Sequence, residues 1–217
     1  MEESGYIAIV DYGLGNVGSV RNALTRLGAQ VVVTNEQSQL RQANGLILPG
    51  VGAFGDGMQK LRDLKLDKIL SLLVLEERKP ILGICLGMQL MASMGLEHGE
   101  HPGLGWFDAT VERLPVEQFG LKIPHVGWNN VIAVRDGTIF DTSEVDACFY
   151  FVHGYHVELA SSQDLVGTCD YGIPFAAIIQ KDNIMGTQFH PEKSQKAGLA
   201  LLGRFMVTAK QSAMSHA

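Results

Sequence analysis

Residues 80–92, which read PILGICLGMQLMA, decide the fold. The apolar run 81–84 follows a proline, a pattern typical of a buried strand. The next segment, 88–92, is rich in residues that favour helix. Cys85 is therefore predicted to lie where a buried strand turns into a helix.

Gly83 and Gly87 flank this cysteine, and the pattern G-x-C-x-G at such a turn is typical of a nucleophile elbow with Cys in place of Ser. A sharp turn strains the backbone and brings neighbouring chain close, so small flanking residues are needed. A helix N-terminus favours a thiolate, and the N–H of Leu86 is placed to stabilise an oxyanion. The alternative on these residues alone is a buried structural cysteine.

Strand and helix patterns alternate through the first half of the chain, which predicts a parallel sheet. The expected fold class is α/β, with a mostly parallel central sheet flanked by helices and antiparallel hairpin extensions in the C-terminal half. We expect one domain, residues 1–217. The predicted helices are 16–27, 58–78, one that begins at 88, and 195–209. The predicted strands are 6–10, 30–34, 45–48, 81–84, 106–114, 125–134, 148–159, 165–171, 175–181 and 184–190.

Composition excludes several classes of function. The chain has 217 residues, 46% of them apolar, and a net charge of −6, which argues against nucleic acid or an anionic membrane as partner. It has no apolar run long enough for a membrane span, and its acidic N-terminus does not resemble a signal peptide. Three cysteines without metal-ligand spacing indicate a reducing compartment, so we expect a cytoplasmic protein.

His190 and Glu192 are separated by Pro191, which favours extended backbone at the histidine. Residues i and i+2 of an extended segment point to the same side, so Glu192 is placed to orient His190. With Cys85 these residues would form a Cys–His–Glu catalytic set. The alternative is a histidine at a strand end beside a solvated glutamate.

A second glycine motif favours another class of protein. Gly13, Gly15 and Gly18 match G-x-G-x-x-G, and Glu36 follows at about the distance of a dinucleotide fingerprint. An NAD-dependent oxidoreductase would carry such a motif, but the chain leaves no room for a substrate domain. The competing interpretation is that these glycines let a turn and a helix approach the sheet closely. No H-x-x-x-H or C-x-x-C spacing occurs, so no metal and no cofactor are expected.

Several motifs together resemble one family. GICLGMQ (83–89), PGVG (49–52) and QFHPE (188–192) resemble class I glutamine amidotransferases. DYGLGN (11–16), PHVGWN (124–129), YFVHGY (150–155) and HPEKS (190–194) look more narrowly like the glutaminase subunit of imidazole glycerol phosphate synthase. The resemblance covers residues 6–207 and implies L-glutamine as substrate and a separate (β/α)₈ cyclase as partner. Paralogous subunits that supply ammonia for amidine formation on surface sugars remain an alternative.

The resemblance also implies roles for single residues, with Cys85, His190 and Glu192 as the catalytic triad. The oxyanion hole is assigned to Val51, Gly52 and Leu86. Glutamine contacts are assigned to Gly50, Gln89, His153 and Tyr155, and the partner interface to Asn16, Trp128 and Lys193. For His153 a core imidazole bonded to backbone is an equal alternative, and for the three interface residues ordinary surface or core packing is an equal alternative. The chain departs from the family at Gly154, where Ser or Thr is usual, so a hydroxyl contact to glutamine would be missing.

Overall fold

The computed structural model describes residues 5–143 and 147–215. Strands and helices alternate from the first strand as far as the cysteine turn, and strands dominate thereafter. The strands are β1 Ile7–Val10, β2 Val31–Thr34, β3 Gly45–Gly50, β4 Ile81–Cys85, β5 Ala92–Gly95, β6 His101–Pro102, β7 Phe107–Arg113, β8 His125–Asn130, β9 Ile132–Ala133, β10 Cys148–His153, β11 Tyr155–Leu159, β12 Leu165–Asp170, β13 Pro174–Lys181 and β14 Ile184–Thr187. The α-helices are α1 Val17–Arg26, α2 Gln37–Gln42, α3 Phe54–Asp63, α4 Leu66–Ser71, α5 Leu86–Gln89 and α6 Gln195–Ser215.

The central sheet has eight strands in the order β2-β1-β3-β4-β14-β13-β12-β9. The first four pairings, from β2 to β14, are parallel, and the last three pairings, from β14 to β9, are antiparallel. The expected mostly parallel sheet with antiparallel extensions is therefore confirmed. Ligands of open parallel sheets bind beyond the carboxyl ends of the strands, and β3 and β4 both end at this edge, with Gly50 opposite Cys85.

Two smaller sheets cover the central sheet, one on each face. The order β11-β7-β5-β6 forms a four-stranded sheet, and β10 pairs with β8 in an antiparallel hairpin-like ribbon. Apolar side chains alternate along the buried strands, so Ala8 and Val10 join one core cluster while Ile7 and Ile9 join the other. The first cluster packs α2, α3, α4 and the four-stranded sheet on one face. The second packs α1, α6 and the β8–β10 ribbon on the opposite face.

The helices differ from the sequence prediction in four places. The helix expected from residue 88 is only the four-residue α5, and the chain turns at once into β5, because pairing with β7 overrides local helix preference. The helix predicted over 58–78 starts earlier and is broken at Lys65, which has a positive φ of 56°. A π-helical turn, Leu72–Glu76, follows α4. The short helix α2 was not foreseen, and α6 extends beyond the predicted end at 209.

Within the described residues, no helix is both long enough and apolar enough to cross a membrane.

Close packing at the cysteine turn requires glycine at the flanking positions. A Cβ atom on Gly87 would lie 1.8 Å from the carbonyl oxygen of Leu48, and one on Gly83 would lie 2.7 Å from the amide nitrogen of Met88. Both neighbours are backbone atoms that cannot move aside. The predicted reason for the G-x-C-x-G pattern, close approach of backbone, is therefore the observed one.

Gly87→Ala should destabilise the fold, because the added methyl overlaps backbone of β3. We expect a loss of about 1–3 kcal/mol or more in the free energy of unfolding, measured by urea denaturation. Gly203→Ala is the matched control: it lies in α6, where a Cβ meets nothing within 4 Å. The control should be neutral or up to about 1 kcal/mol more stable. Equal stability of Gly87→Ala and wild type would contradict the packing account.

Candidate active site

Cys85 lies at the junction of β4 and α5 with φ of 54° and ψ of −112°. A non-glycine residue is rarely held in this region, and such strain persists only where the surroundings enforce it. The residue is only 7% exposed, and its Sγ lies 3.9 Å from the carbonyl oxygen of Val152. The turn thus presents the sulfur atom to a cleft rather than to the sheet interior.

His190 and Glu192 form the ion pair that the sequence predicted. The imidazole Nδ1 lies 2.8 Å from Glu192 Oε1, and both side chains are almost fully buried. Pro191 starts a 3₁₀ turn between them. The Nε2 atom has no conventional hydrogen-bond partner among the described residues and is the nitrogen left to face the thiol.

The charge balance around His190 favours its protonated form. Burial alone would lower its pKa, but the nearby Cys85 sulfur, the hydrogen bond to Glu192 and the charge of that carboxylate outweigh this and raise the pKa to about 9. His190 therefore carries a proton at neutral pH. A protonated imidazole beside a reacting sulfur is the form that can protonate a leaving amine.

Two buried side-chain amides, those of Gln89 and Gln188, lie beside the cysteine. Only Gln89 had a role predicted from the sequence. Gln188 is fully buried, and its Nε2 lies 3.8 Å from Cys85 Sγ. Its Oε1 accepts a hydrogen bond from Gln89 Nε2 at 3.0 Å, and the same Gln89 nitrogen donates to the carbonyl of Tyr155. Gln188 was quoted within the motif QFHPE, but its side chain could be placed only once β14 was paired with β4.

His153 uses both ring nitrogens within the protein. Nδ1 donates to the carbonyl oxygen of Tyr155 at 2.8 Å, and Nε2 lies 3.2 Å from Nδ1 of His125. Burial lowers the pKa of His153 to about 3, so the ring is neutral. This geometry favours the alternative of a core imidazole and leaves no ring nitrogen of His153 for glutamine.

A cleft of about 310 Å³ opens at Cys85. The predicted oxyanion and substrate residues, except Gly50, line this cleft with Cys85 and His190. Glu97 and Pro124 also line it and were not predicted. The lining residues are Val51, Gly52, Cys85, Leu86, Gln89, Glu97, Pro124, Val152, His153, Gly154, Tyr155 and His190.

Tyr12 holds the loop on the other side of the cleft. Its hydroxyl donates to the carbonyl of Pro49 at 2.7 Å, and a Cβ on Gly50 would lie only 2.5 Å from the Tyr12 hydroxyl oxygen. Burial raises the pKa of Tyr12, so the hydroxyl stays a donor. Gly50 is therefore a packing requirement beneath the cleft, and Gly52, with φ of 109°, is the residue of this loop that needs glycine for its backbone.

Glu97 fixes the start of the helix that follows this loop. Its Oε2 accepts from the backbone N–H of Phe54, the first residue of α3, at 2.8 Å. A carboxylate at a helix N-terminus is stabilised by the unpaired amides there. Among the residues that line the cleft, Glu97 is the one carboxylate, which makes it available to a substrate ammonium group.

Gly154 also lines the cleft, between β10 and β11. A Cβ there would lie 3.1 Å from Ile123 Cγ2, a contact with the end of a side chain. The position at which the sequence lacks the usual hydroxyl therefore borders the cleft at Cys85.

The three predicted interface residues lie outside the cleft. Trp128 is 48% exposed and makes an edge contact with Tyr150, and Lys193 Nζ lies 5.9 Å over the same Tyr150 ring. Asn16 accepts from the backbone N–H of Ser19 as the cap of α1. Helix α1 contacts the Pro191–Lys193 turn, so the three residues border one side of the molecule.

A larger cleft of about 470 Å³ lies at the opposite end of the sheet, between residues such as Asn44, Lys79 and Ser212. Its lining contains no cysteine and no histidine. The smaller cleft at Cys85 is therefore the candidate active site.

Comparisons with known proteins agree with this geometry. The sequence pattern of the family described as "Glutamine amidotransferase class-I" matches residues 8–209. The chain belongs to the class I glutamine amidotransferases. The predicted enzyme class is thereby confirmed, and a dehydrogenase is not supported. In a dinucleotide-binding motif the third glycine allows close packing of the helix on the strand. Here a Cβ on Gly18, the third motif glycine, would meet nothing within 4 Å.

Curated relatives of the amidotransferase cover nearly all of it. An "Imidazole glycerol phosphate synthase subunit HisH 2" of Nitrobacter winogradskyi is 47% identical over 92% of this chain and 97% of the relative. The protein of the same name from Vibrio vulnificus is 44% identical, with 97% of this chain and 99% of the relative covered. The predicted resemblance to this kind of glutaminase is confirmed.

Solved structures support the fold. A structure described as a glutamine amidotransferase matches with a TM-score of 0.74 at 20% identity, covering 95% of this chain and 100% of that one. The structure of PurLQS from Thermotoga maritima contains a chain that matches with a TM-score of 0.72 at 18% identity, covering 94% of this chain and 99% of that one.

Glu192→Gln should move the alkaline limit of glutaminase activity to lower pH. His190 loses its proton above a pKa of about 9, and removing the carboxylate charge lowers that pKa. The maximal rate should fall by less than the roughly 10²–10⁴-fold expected for His190→Ala. The measurement is glutamate release against pH, with the exposed Glu100→Gln as a control of equal charge change. An unmoved alkaline limb would contradict the assignment of Glu192.

Proposed function

We propose that this amidotransferase is a single-domain glutaminase subunit of an imidazole glycerol phosphate synthase. It hydrolyses L-glutamine to glutamate and delivers the ammonia to a separate (β/α)₈ cyclase, as part of histidine biosynthesis. The observation that carries the chemistry is the buried His190–Glu192 pair facing the strained Cys85. The names of relatives 47% and 44% identical over almost the whole chain support the pathway.

The first half of the reaction forms a thioester. The sulfur of Cys85 attacks the carboxamide carbon of glutamine, and the thiol proton resides on His190. The amide N–H of Leu86, at the start of α5, and N–H groups of the Val51–Gly52 loop stabilise the oxyanion. When the C–N bond breaks, His190 gives its proton to the nitrogen, and ammonia leaves.

The second half releases glutamate. Water attacks the thioester carbon, His190 accepts a proton from it, and the C–S bond breaks to restore the sulfur of Cys85. Glu192 holds the imidazole orientation throughout by its 2.8 Å contact with Nδ1. Glu97 at the start of α3 and the backbone at Gly154 are proposed to seat the amino-acid end of glutamine. No step requires a cofactor.

The partner is proposed to dock on the apolar face beside the cleft. Val126 and Trp128 of β8 are about half exposed and lie on the same face of the ribbon as Tyr150 of β10. Val152, next on that face, lines the glutamine cleft. Exposed aromatic residues in a compact patch are typical of binding hot spots. A cyclase seated here would cover the exit of ammonia, and Lys193 and Asn16 would lie at its rim.

The function is tested by the release of glutamate from glutamine, with and without the cognate cyclase and its acceptor substrate. We expect slow release by the chain alone and a much faster rate with the partner, because the 49–52 loop forms part of the oxyanion hole and borders the docking face. Cys85→Ala should abolish both rates. High and equal rates with and without the cyclase would contradict a subunit role and indicate an independent amidase.

A control pair locates the docking face in the same assay. Trp128→Ala should require more cyclase for half-maximal activation, whereas Val207→Ala, which removes a comparably exposed apolar side chain from α6, should not. Failure of any histidine-pathway cyclase to activate the chain, with activation by a sugar-modifying synthetase instead, would assign the chain to the paralogous subunits.

A further inference from the structure

Three side chains that can ligate a metal meet on the four-stranded sheet, away from the active-site cysteine. His156 of β11 lies directly opposite Glu112 of β7 in the antiparallel pairing, and Glu158 is two residues further along β11. Val157 and Val111 point into the core from these strands, so the alternation of the pleat places the three on the other face. One ligand atom from each lies within 4.8 Å of the other two.

His156 is unusual among these residues because it is buried without partners. The residue is 2% exposed, and among the described residues neither Nδ1 nor Nε2 has a hydrogen-bond partner. Leaving a buried polar group unsatisfied costs about 1–3 kcal/mol. Nε2 approaches Glu112 Oε1 to 3.7 Å, which is too long for a hydrogen bond. Two ligands of one tetrahedral ion with bonds near 2.1 Å would be separated by about 3.4 Å.

We propose that Glu112, His156 and Glu158 bind a divalent transition-metal ion, and Zn²⁺ in particular. An imidazole with two carboxylates suits Zn²⁺, whereas Mg²⁺ and Ca²⁺ select all-oxygen sites. Glu158 is exposed, so water completes the coordination from the solvent side.

The proposed ion would act on the scaffold of the glutamine cleft. It would cross-link β7 to β11 one residue beyond Tyr155, whose carbonyl accepts hydrogen bonds from Gln89 and His153. The role is structural, because none of the three ligands lines the cleft at Cys85. No metal was expected from the sequence, because no H-x-x-x-H or C-x-x-C spacing occurs. Glu112 and His156 are far apart in the chain, and the β7–β11 register brings them together.

The proposal is tested by titrating the metal-free chain with Co²⁺ and then displacing it with Zn²⁺. We expect one site with visible d–d absorption and without the sulfur charge-transfer band that binding at Cys85 would add. Zn²⁺ should also raise the melting temperature. The isosteric double variant Glu112→Gln/Glu158→Gln should bind at least about tenfold more weakly, since each carboxylate supplies a ligand and even lost supporting contacts cost on the order of 10–100-fold.

Glu100→Gln, an exposed glutamate between β5 and β6, is the matched control and should bind as wild type does. His156→Ala should also lose binding, but the double variant decides the matter because its changed side chains are less buried and conserve shape. Absence of a site in wild type at micromolar Zn²⁺ would overturn the proposal. So would equal affinity of the double variant and wild type, or a cobalt spectrum dominated by sulfur ligation; His156 would then be a structural histidine alone.

Discussion

The contact on which the active site depends is the approach of Gly87 to the carbonyl of Leu48. The helix that follows Cys85 presses on β3 so closely that a methyl group at Gly87 would lie 1.8 Å from that oxygen. This approach fixes the start of α5 and holds Cys85 at a φ of 54°. The strain, of the order of 1–3 kcal/mol for a residue in such a region, is sustained by the surrounding buried strands. The sulfur is thereby fixed at the carboxyl edge of the sheet.

A second constraint is electrostatic. A buried imidazole would ordinarily be neutral, as His153 and His125 are, both of them with lowered pKa values because of burial. His190 lies in the same region, but Cys85 and Glu192 reverse the effect and raise its pKa. The partners of these buried histidines therefore decide their charge: His153 is neutral and bonds the backbone at Tyr155, whereas His190 keeps its proton beside Cys85 and Glu192.

The sequence allowed prediction of features that depend on local chain geometry. The cysteine elbow follows from Gly83, Gly87 and the apolar strand before them, and the His190–Glu192 pair follows from Pro191. The resemblance to the class I amidotransferases, which is confirmed for residues 8–209, also indicated the Val51–Gly52 loop as part of the site. Features that depend on pairing between distant strands could not be predicted from the sequence. The short α5 ends where β5 joins β7, and Gln188 reaches Cys85 because β14 lies beside β4.

We propose that Cys85, and no other thiol, is the nucleophile. Cys169 is buried, which with nearby Asp170 and Cys148 raises its pKa to about 12, and Cys148 lies on β10 away from the cleft lining. The direct measurement is mass-spectrometric mapping of the adduct formed by a glutamine-mimicking electrophile. The account predicts one adduct, on Cys85, that free glutamine suppresses and that forms more slowly in His190→Ala. An adduct chiefly on Cys148 or Cys169 would contradict it.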